Sequence, residues 1–270
     1  MDRRPIGVFD SGVGGLTVFK ALEAALPGEC FVYLGDTARV PYGTKSPETV
    51  SRYGIEAARF LKKQGVKLLV VACNTVSSVA MDEVAEEAHV PVIGVILPGA
   101  RRAAKLSTGG RIGVIGTRAT VASEAYPRAI LALRSEAEVF SRPCPLFVPL
   151  AEEGWTDNDV ARRVAETYLA SLKEAEVDTV VLGCTHYPLL AGTIGDVMGP
   201  GVALVDSADA VAAEVREWLE RESDLAAPGG SPRPADRFYV TDSPAPFASV
   251  AERFLGRPVS LIGRARVAGE

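Results

Sequence analysis

The sequence predicts an α/β fold of two pseudo-symmetric open-sheet lobes, with the active site in the cleft between them. Three observations predict it. Short β-branched runs alternate with longer amphipathic segments along all 270 residues, the pattern of α/β proteins with largely parallel sheets. Ile6-Gly7-Val8-Phe9-Asp10-Ser11 is echoed 106 residues later by Ile112-Gly113-Val114-Ile115-Gly116-Thr117. Two cysteines, Cys73 and Cys184, lie 111 residues apart, and each closes an apolar strand-like run.

Taken in order, strands are expected at 6–9, 31–34, 67–71, 92–95, 111–115, 139–141, 179–182, 203–205 and 238–241, each a short run rich in β-branched and aromatic residues. Amphipathic helices are expected between most of them, at 16–26, 47–64, 76–88 and 157–175. Ser46-Pro47 is the cap and first turn of the second of these. The run 146–150 also reads as strand-like, which would bring Glu152 toward the cleft from a strand end. A charged helix follows at 208–222, then a Pro/Gly-rich stretch at 228–234 that reads as a loop. The final strand and helix at 238–255 are too short to stand alone and should pack on one lobe. The expected division is 1–97 plus 208–270 for lobe 1, carrying Asp10 and Cys73, and 98–207 for lobe 2, carrying Glu152 and Cys184.

Composition narrows the function classes. Apolar residues make up 47% of the chain, enough for a substantial core. The formal net charge of −5 gives no basic footprint for nucleic acid. No apolar stretch approaches the length of a membrane span. A strand-like run begins at Ile6, leaving no room for a signal peptide, so the chain reads as cytoplasmic. The four cysteines include no C-x-x-C pair, which argues against a zinc ribbon or a dithiol redox site. Cys30 and Cys144 read as ordinary small apolar residues.

The two remaining cysteines differ. A single cysteine is most often core. Here both follow an apolar run and both precede polar side chains, Asn74-Thr75 in one case and Thr185-His186 in the other. The tips of strands in open α/β sheets are where ligands bind, and a helix beginning just after the strand is expected to lower the thiol pKa. Asp10-Ser11-Gly12-Val13-Gly14-Gly15 opens a helix after the first strand and reads either as a plain turn or as backbone N–H groups for an anion. It is neither a dinucleotide fingerprint, since Thr17 stands where glycine is needed, nor a P-loop. The loop 33–46 carries Asp36, Tyr42 and Gly43, and its length fits a functional role. Thr117 and Thr120 read as helix caps or as a second cradle for the ligand. His186, two residues after a candidate thiol, is placed to tune it or to move protons. His89 reads as a helix C-terminal residue.

Two thiols on two similar frames suit one reaction type. Inverting a carbon centre by deprotonation and reprotonation needs an acid–base group on each face, and each group must work in both directions. With no metal cluster, dinucleotide loop or lysine-centred cofactor motif in view, the simplest reading is a racemase with no cofactor. Donors such as Ser11, Asn74, Thr75 and Thr185 would stabilise the developing carbanion.

The residues then carry a resemblance. G-V-F-D-S-G-V-G-G-L-T from Gly7, Y-L-G-D-T-A-R-V-P-Y-G-T-K-S from Tyr33, A-C-N-T from Ala72, G-T-R-A-T-V-A-S from Gly116 and L-G-C-T-H-Y-P-L-L from Leu182 together resemble the glutamate racemases of the aspartate/glutamate racemase family. The resemblance implies that Cys73 and Cys184 are the two acid–base catalysts, Cys73 acting on D-glutamate and Cys184 on L-glutamate. It implies helpers in proton transfer at Asp10, Glu152 and His186. It implies substrate contacts at Asp10, Ser11, Tyr42, Gly43, Asn74, Thr75, Thr185 and His186, to which the second-cradle reading adds Thr117 and Thr120. It further implies no metal or cofactor, a homodimer, a cytoplasmic bacterial setting and a role in supplying D-glutamate for peptidoglycan. Aspartate is the alternative substrate. Members of the family are said to bind DNA gyrase, so a regulatory protein is a second class. A Cys–His hydrolase using Cys184 and His186 is a third, and it leaves Cys73 without a role.

Overall fold

A computed structural model describes residues 2–222, 234–259 and 262–267. The 228–234 stretch lies outside these residues except for Pro234. The chain forms β1 (Ile6–Asp10), α1 (Leu16–Ala25), β2 (Phe31–Gly35), α2 (Pro47–Lys63), β3 (Leu68–Val71), α3 (Asn74–Val79), α4 (Met81–Ala88), β4 (Val92–Gly94) and α5 (Ile96–Leu106). It continues through β5 (Arg111–Gly116), α6 (Arg118–Ala122), α7 (Ala125–Leu133), β6 (Glu138–Pro143), α8 (Phe147–Glu153), α9 (Asp159–Glu174), β7 (Thr179–Gly183), α10 (Ala191–Met198) and β8 (Ala203–Asp206). It ends with α11 (Ser207–Arg221), β9 (Arg237–Val240), α12 (Pro244–Leu255) and β10 (Ile262–Arg264). Among the described residues no helix is long and apolar enough to cross a membrane.

Two parallel sheets result. One has strand order β10-β9-β2-β1-β3-β4 and the other β6-β5-β7-β8. Apart from the two added edge strands, the orders β2-β1-β3-β4 and β6-β5-β7-β8 are the same arrangement. The repeat seen in the sequence is real in the sheets. Ile6 of β1 pairs with Leu68 of β3, and Ile112 of β5 pairs with Thr179 of β7. Each cysteine stands five residues beyond its pairing partner. The frames therefore match to the residue, and the unequal spacing between repeat and cysteine lies wholly in the intervening connections.

The central strands β1, β3 and β7 are buried along their whole length, as expected where helices cover both faces of a parallel sheet. In the larger sheet, Phe19 and Leu22 of α1, Val211 and Val215 of α11, and Phe247 and Phe254 of α12 share one core. Val50, Ala57 and Leu61 of α2 pack with Val76 and Val84 on the opposite face. The smaller sheet is covered by α8, α9 and α10 on one side and by α5 and α7 on the other. The C-terminal strand and helix pack on the larger sheet, so that segment joins an existing lobe.

Local chemistry explains several element ends. Ser46 caps α2, its Oγ accepting from the Thr49 N–H at 3.4 Å, and Pro47 occupies the first turn. Asn158 caps α9 in the same way. His89 closes α4 in the left-handed conformation, with φ 54°.

Two expectations are corrected. The single helix expected at 76–88 is two, α3 and α4, broken at Ala80 with φ −140° and ψ 22°. Ser77 Oγ donates to the Val71 carbonyl and Ser78 Oγ to the Thr75 carbonyl, so side chains compete with the helical ladder in a β-branched run. The run 146–150 is not a strand but the start of α8. Pro149 cannot donate to a sheet ladder, whereas its missing N–H costs nothing in a helix's first turn.

Candidate active site

The two strand tips open onto one cavity of ≈350 Å³, at the small end of ligand pockets. Cys73 and Cys184 both line it. So do Ser11, Tyr42, Gly43, Asn74, Thr75, Thr117, Glu152, Thr185 and His186 of the expected site. Asp10 and Thr120 do not form its wall; they lie behind it. Val40, Pro41, Val148 and Pro149 also line the cavity. None of these apolar residues is marked by sequence chemistry, though Val40 and Pro41 lie within the loop that was singled out.

Cys73 is the residue just before α3 and is 5% exposed. Its Sγ donates to Ser11 Oγ at 3.4 Å. The expectation that a helix start lowers this thiol's pKa is not met. Burial, then the nearby Asp10 carboxyl, push it up to about 12, against the opposing hydrogen bond to Ser11. Desolvation of the charged form outweighs the ends of a few backbone dipoles.

Asp10 is fully buried, and burial raises its pKa, with His186 and the N–H groups of Gly15, Gly12 and Ser11 opposing. The Gly12 N–H donates to Asp10 Oδ2 at 2.9 Å. The glycine-rich turn thus turns its N–H groups on the protein's own carboxyl, which corrects the reading of it as a free anion cradle. Asp10 Oδ1 is buried without a hydrogen-bond partner.

Cys184 directly follows β7, whose last residue is Gly183. Cys184 Sγ lies 3.8 Å from His186 Nδ1, and His186 Nε2 lies 2.9 Å from Glu152 Oε1. Glu152 reaches this point from the last turn of α8, not from a strand. Burial works against the imidazolium, but Cys184 and Glu152 outweigh it and raise His186 to about 10. The imidazole and the Phe254 ring pack nearly perpendicular, their centroids 5.4 Å apart, and Arg253 donates to the Glu152 carbonyl. The terminal helix α12 therefore backs this pair.

Tyr42 sits in a short 3-10 turn inside the long loop and is 2% exposed. Its hydroxyl donates to Asp36, which also accepts from Arg39 Nε at 2.6 Å and Thr241 Oγ1 at 2.7 Å. Asp36 thereby anchors the loop that forms one wall.

Hydrogen bonds join the residues around one sheet to those around the other at the cavity. Thr75 Oγ1 and Thr117 Oγ1 are 3.0 Å apart. Tyr126 OH donates to Asn74 Oδ1 at 2.8 Å. Thr17 Oγ1 donates to the Thr185 carbonyl at 3.1 Å. Thr117 also caps α6 through the Thr120 N–H, so capping and cavity-lining roles coexist. Thr120 supports it, with its Oγ1 3.0 Å from Thr117 Oγ1. None of the four cysteines forms a disulfide, and all are buried. Cys144 lies under Tyr187, whose hydroxyl donates to its carbonyl at 2.8 Å, and it is fully covered by core. Among the described residues no cluster of His, Cys, Asp and Glu could hold a metal ion.

Twin parallel sheets, each offering a thiol from the tip of a central strand to one shared cavity, define a two-lobed α/β protein that can address a small molecule from two sides. Residues 6–215 match the family model for Asp/Glu/Hydantoin racemase. The chain belongs to the Asp/Glu/hydantoin racemase family. It is 57% identical over 256 residues to a glutamate racemase of Geobacter metallireducens, a match covering 95% of this chain and 94% of the relative. The glutamate racemase of Francisella tularensis in complex with D-glutamate superposes with a TM-score of 0.92 at 39% identity, covering 99% of each chain. Isoform RacE1 from Bacillus anthracis, also a glutamate racemase, gives 0.95 at 38% identity over 100% of each.

Proposed function

We propose that this protein interconverts L- and D-glutamate without a cofactor, using Cys73 and Cys184 as acid–base groups on opposite faces of the α-carbon. The observation that carries the reading is the pair of matched strand-tip thiols lining one small cavity. The relatives named glutamate racemase and the neighbour solved with D-glutamate support the choice of substrate.

In one direction the Cys184 thiolate takes the α-proton of L-glutamate, and the Cys73 thiol gives its proton to the other face. The product is D-glutamate, with Cys184 now protonated and Cys73 ionised. The reverse turnover resets both. A Cys73 thiol raised to about 12 is a proton donor at neutral pH. Its thiolate needs a compensating positive charge when D-glutamate is the substrate, and the α-ammonium group supplies one. On the other side, His186 retains its proton at neutral pH and offsets negative charge at Cys184. Asp10, Glu152 and His186 serve as proton-transfer helpers. Ser11, Asn74, Thr75 and Thr185 donate to the substrate and to the charge that develops on it, while Tyr42, Gly43 and Thr117, with Thr120 behind, shape the far wall.

The lobes of this reading are 1–97 with 208–270, and 98–207. The product D-glutamate would serve bacterial peptidoglycan synthesis, and the chain would work as a cytoplasmic homodimer, which light scattering on the purified protein tests. The activity is tested by following pure L-glutamate by circular dichroism with no added cofactor. Decay of the signal to zero is expected. A stable signal, or racemisation of aspartate in its place, would overturn the proposal.

A further inference from the structure

We infer that Tyr126 is a positioning residue that fixes the amide of Asn74 and ties the two thiol-bearing turns to each other. This inference rests on the racemase reading above. Tyr126 belongs to α7, on the side of the Cys184 sheet, and is 1% exposed. Its hydroxyl donates to Oδ1 of Asn74, the residue directly after Cys73. A phenol has one proton to donate, and this contact uses it.

The consequence falls on Asn74. With Oδ1 engaged, its Nδ2 is the remaining polar atom of a side chain that lines the cavity, and that atom is buried with no partner. A free asparagine amide can present either end to a ligand. This one can present only N–H donors, which suit a carboxylate or the negative charge spreading onto it as the α-proton leaves. An unpaired buried donor is costly, so its retention beside Cys73 points to a partner supplied by the substrate.

The ring of Tyr126 makes the second link. A β-carbon at Gly183, immediately before Cys184, would lie 3.1 Å from the ring's Cε2, and one at Gly99 would lie 3.2 Å from both Cε1 and the hydroxyl. The ring fills the space left by two glycines, one of them at the foot of the second thiol turn. One side chain thus packs beneath Cys184 and hydrogen-bonds beside Cys73. Any change in spacing between the two turns must either stretch that hydrogen bond or lift the ring from Gly183.

Tyr126→Phe keeps the ring and removes the oxygen. The expected result is a fall in kcat of about tenfold or more with KM within about threefold of wild type, since mispositioning of a donor acts on the transition state. The melting temperature should fall by a few degrees, because Asn74 Oδ1 is left buried and unpaired, so kcat is compared at a temperature where both proteins are fully folded. The deciding comparison is a double-mutant cycle: in an Asn74→Ala background the same substitution should cost less than about twofold. Additive losses, or a Tyr126→Phe enzyme with wild-type kcat, would overturn the inference. If Tyr126→Phe fails to fold, NMR on the unaltered protein decides. A slowly exchanging Tyr126 hydroxyl proton with a cross-peak to the Asn74 amide is required, and its absence counts against the role. Failure of the racemase reading would look different, because the wild-type protein itself would then leave L-glutamate unchanged.

Discussion

His186 Nε2 stands 2.9 Å from Glu152 Oε1, and the same ring's Nδ1 stands 3.8 Å from Cys184 Sγ. No comparable imidazole adjoins Cys73, whose sulfur meets Ser11 Oγ and the field of buried Asp10. The sheets are near copies, yet the chemical neighbourhoods of the two thiols are not. The side chain of glutamate does not invert with its α-carbon, so the two faces of the reaction need different surroundings.

The raised His186 pKa makes a testable claim about pH. The group's folded value of about 10 lies above its ordinary 6.5, so the stability it contributes is fully present below 6.5 and is lost as pH rises from there through about 10. The chain has two histidines, so two imidazole signals are expected by NMR, and His186→Asn assigns them. Glu152→Gln should lower the His186 titration by about one unit or more, because it removes an adjacent negative charge. An unchanged midpoint would mean that Glu152 does not hold the proton in place.

Much of this arrangement is legible in the sequence, for a physical reason. Strands buried on both faces read as unbroken apolar runs, so β3 and β7 stand out, and Cys73 and Cys184 are conspicuous as the points where each run turns polar. Contacts that close only in three dimensions leave no such trace. Phe254 and Arg253 reach His186 and Glu152 from a helix about a hundred residues beyond Glu152, and nothing local marks either. The state of the Cys73 thiol is not legible, because a helix start shows in sequence while the surrounding burial does not. At 146–150 the apolar run alone suggests a strand, while Pro149 in its midst favours the first turn of a helix.

Loss of either thiol should nearly abolish racemisation. Cys73→Ala and Cys184→Ala are each expected to lower kcat/KM by about a thousandfold, within the range of general acid–base groups. Enantiomers have equal free energies, so the loss must be the same in both directions and cannot show which thiol serves which face. Exchange of the α-proton can. In deuterated water Cys73→Ala should label L-glutamate without inverting it, through the remaining Cys184, and Cys184→Ala should label D-glutamate. Labelling of the opposite enantiomer would reverse the assignment, and near-wild-type racemisation by either variant would end the two-thiol mechanism.

Asp10 offers a separate test. Its raised pKa means that it favours folding while protonated, and that this contribution is lost as pH rises from its ordinary 3.8 through its folded value. At neutral pH a buried carboxylate therefore opposes folding. Asp10→Asn should hold or raise the melting temperature at pH 7 while lowering activity. It should also lower the Cys73 pKa, because the Asp10 charge is second only to burial in raising it. The measurement is alkylation of Cys73 by iodoacetamide, followed by peptide mapping, as a function of pH. A severalfold faster reaction at pH 8 is expected, and a slower one would show that Asp10 does not govern this thiol.

Gly14 joins the first turn to the second thiol's neighbours. A β-carbon there would fall 2.3 Å from Thr185 Oγ1 and 2.5 Å from His186 Nδ1, far inside contact distance. Neither neighbour can retreat freely. The Thr185 carbonyl is held by Thr17 at 3.1 Å, and His186 is fixed between Glu152 and the Phe254 ring. Gly14→Ala should therefore cost about 1–3 kcal/mol of stability, as overpacking at rigid sites does, and should displace His186 from Cys184. Because the displaced groups serve one face only, the variant's defect should follow the L-glutamate half-reaction, seen as slower α-deuterium uptake from L-glutamate than from D-glutamate at the start of the reaction. A defect shared equally by both enantiomers in that exchange would show that the clash is relieved by opening the whole cleft and not by moving His186 alone.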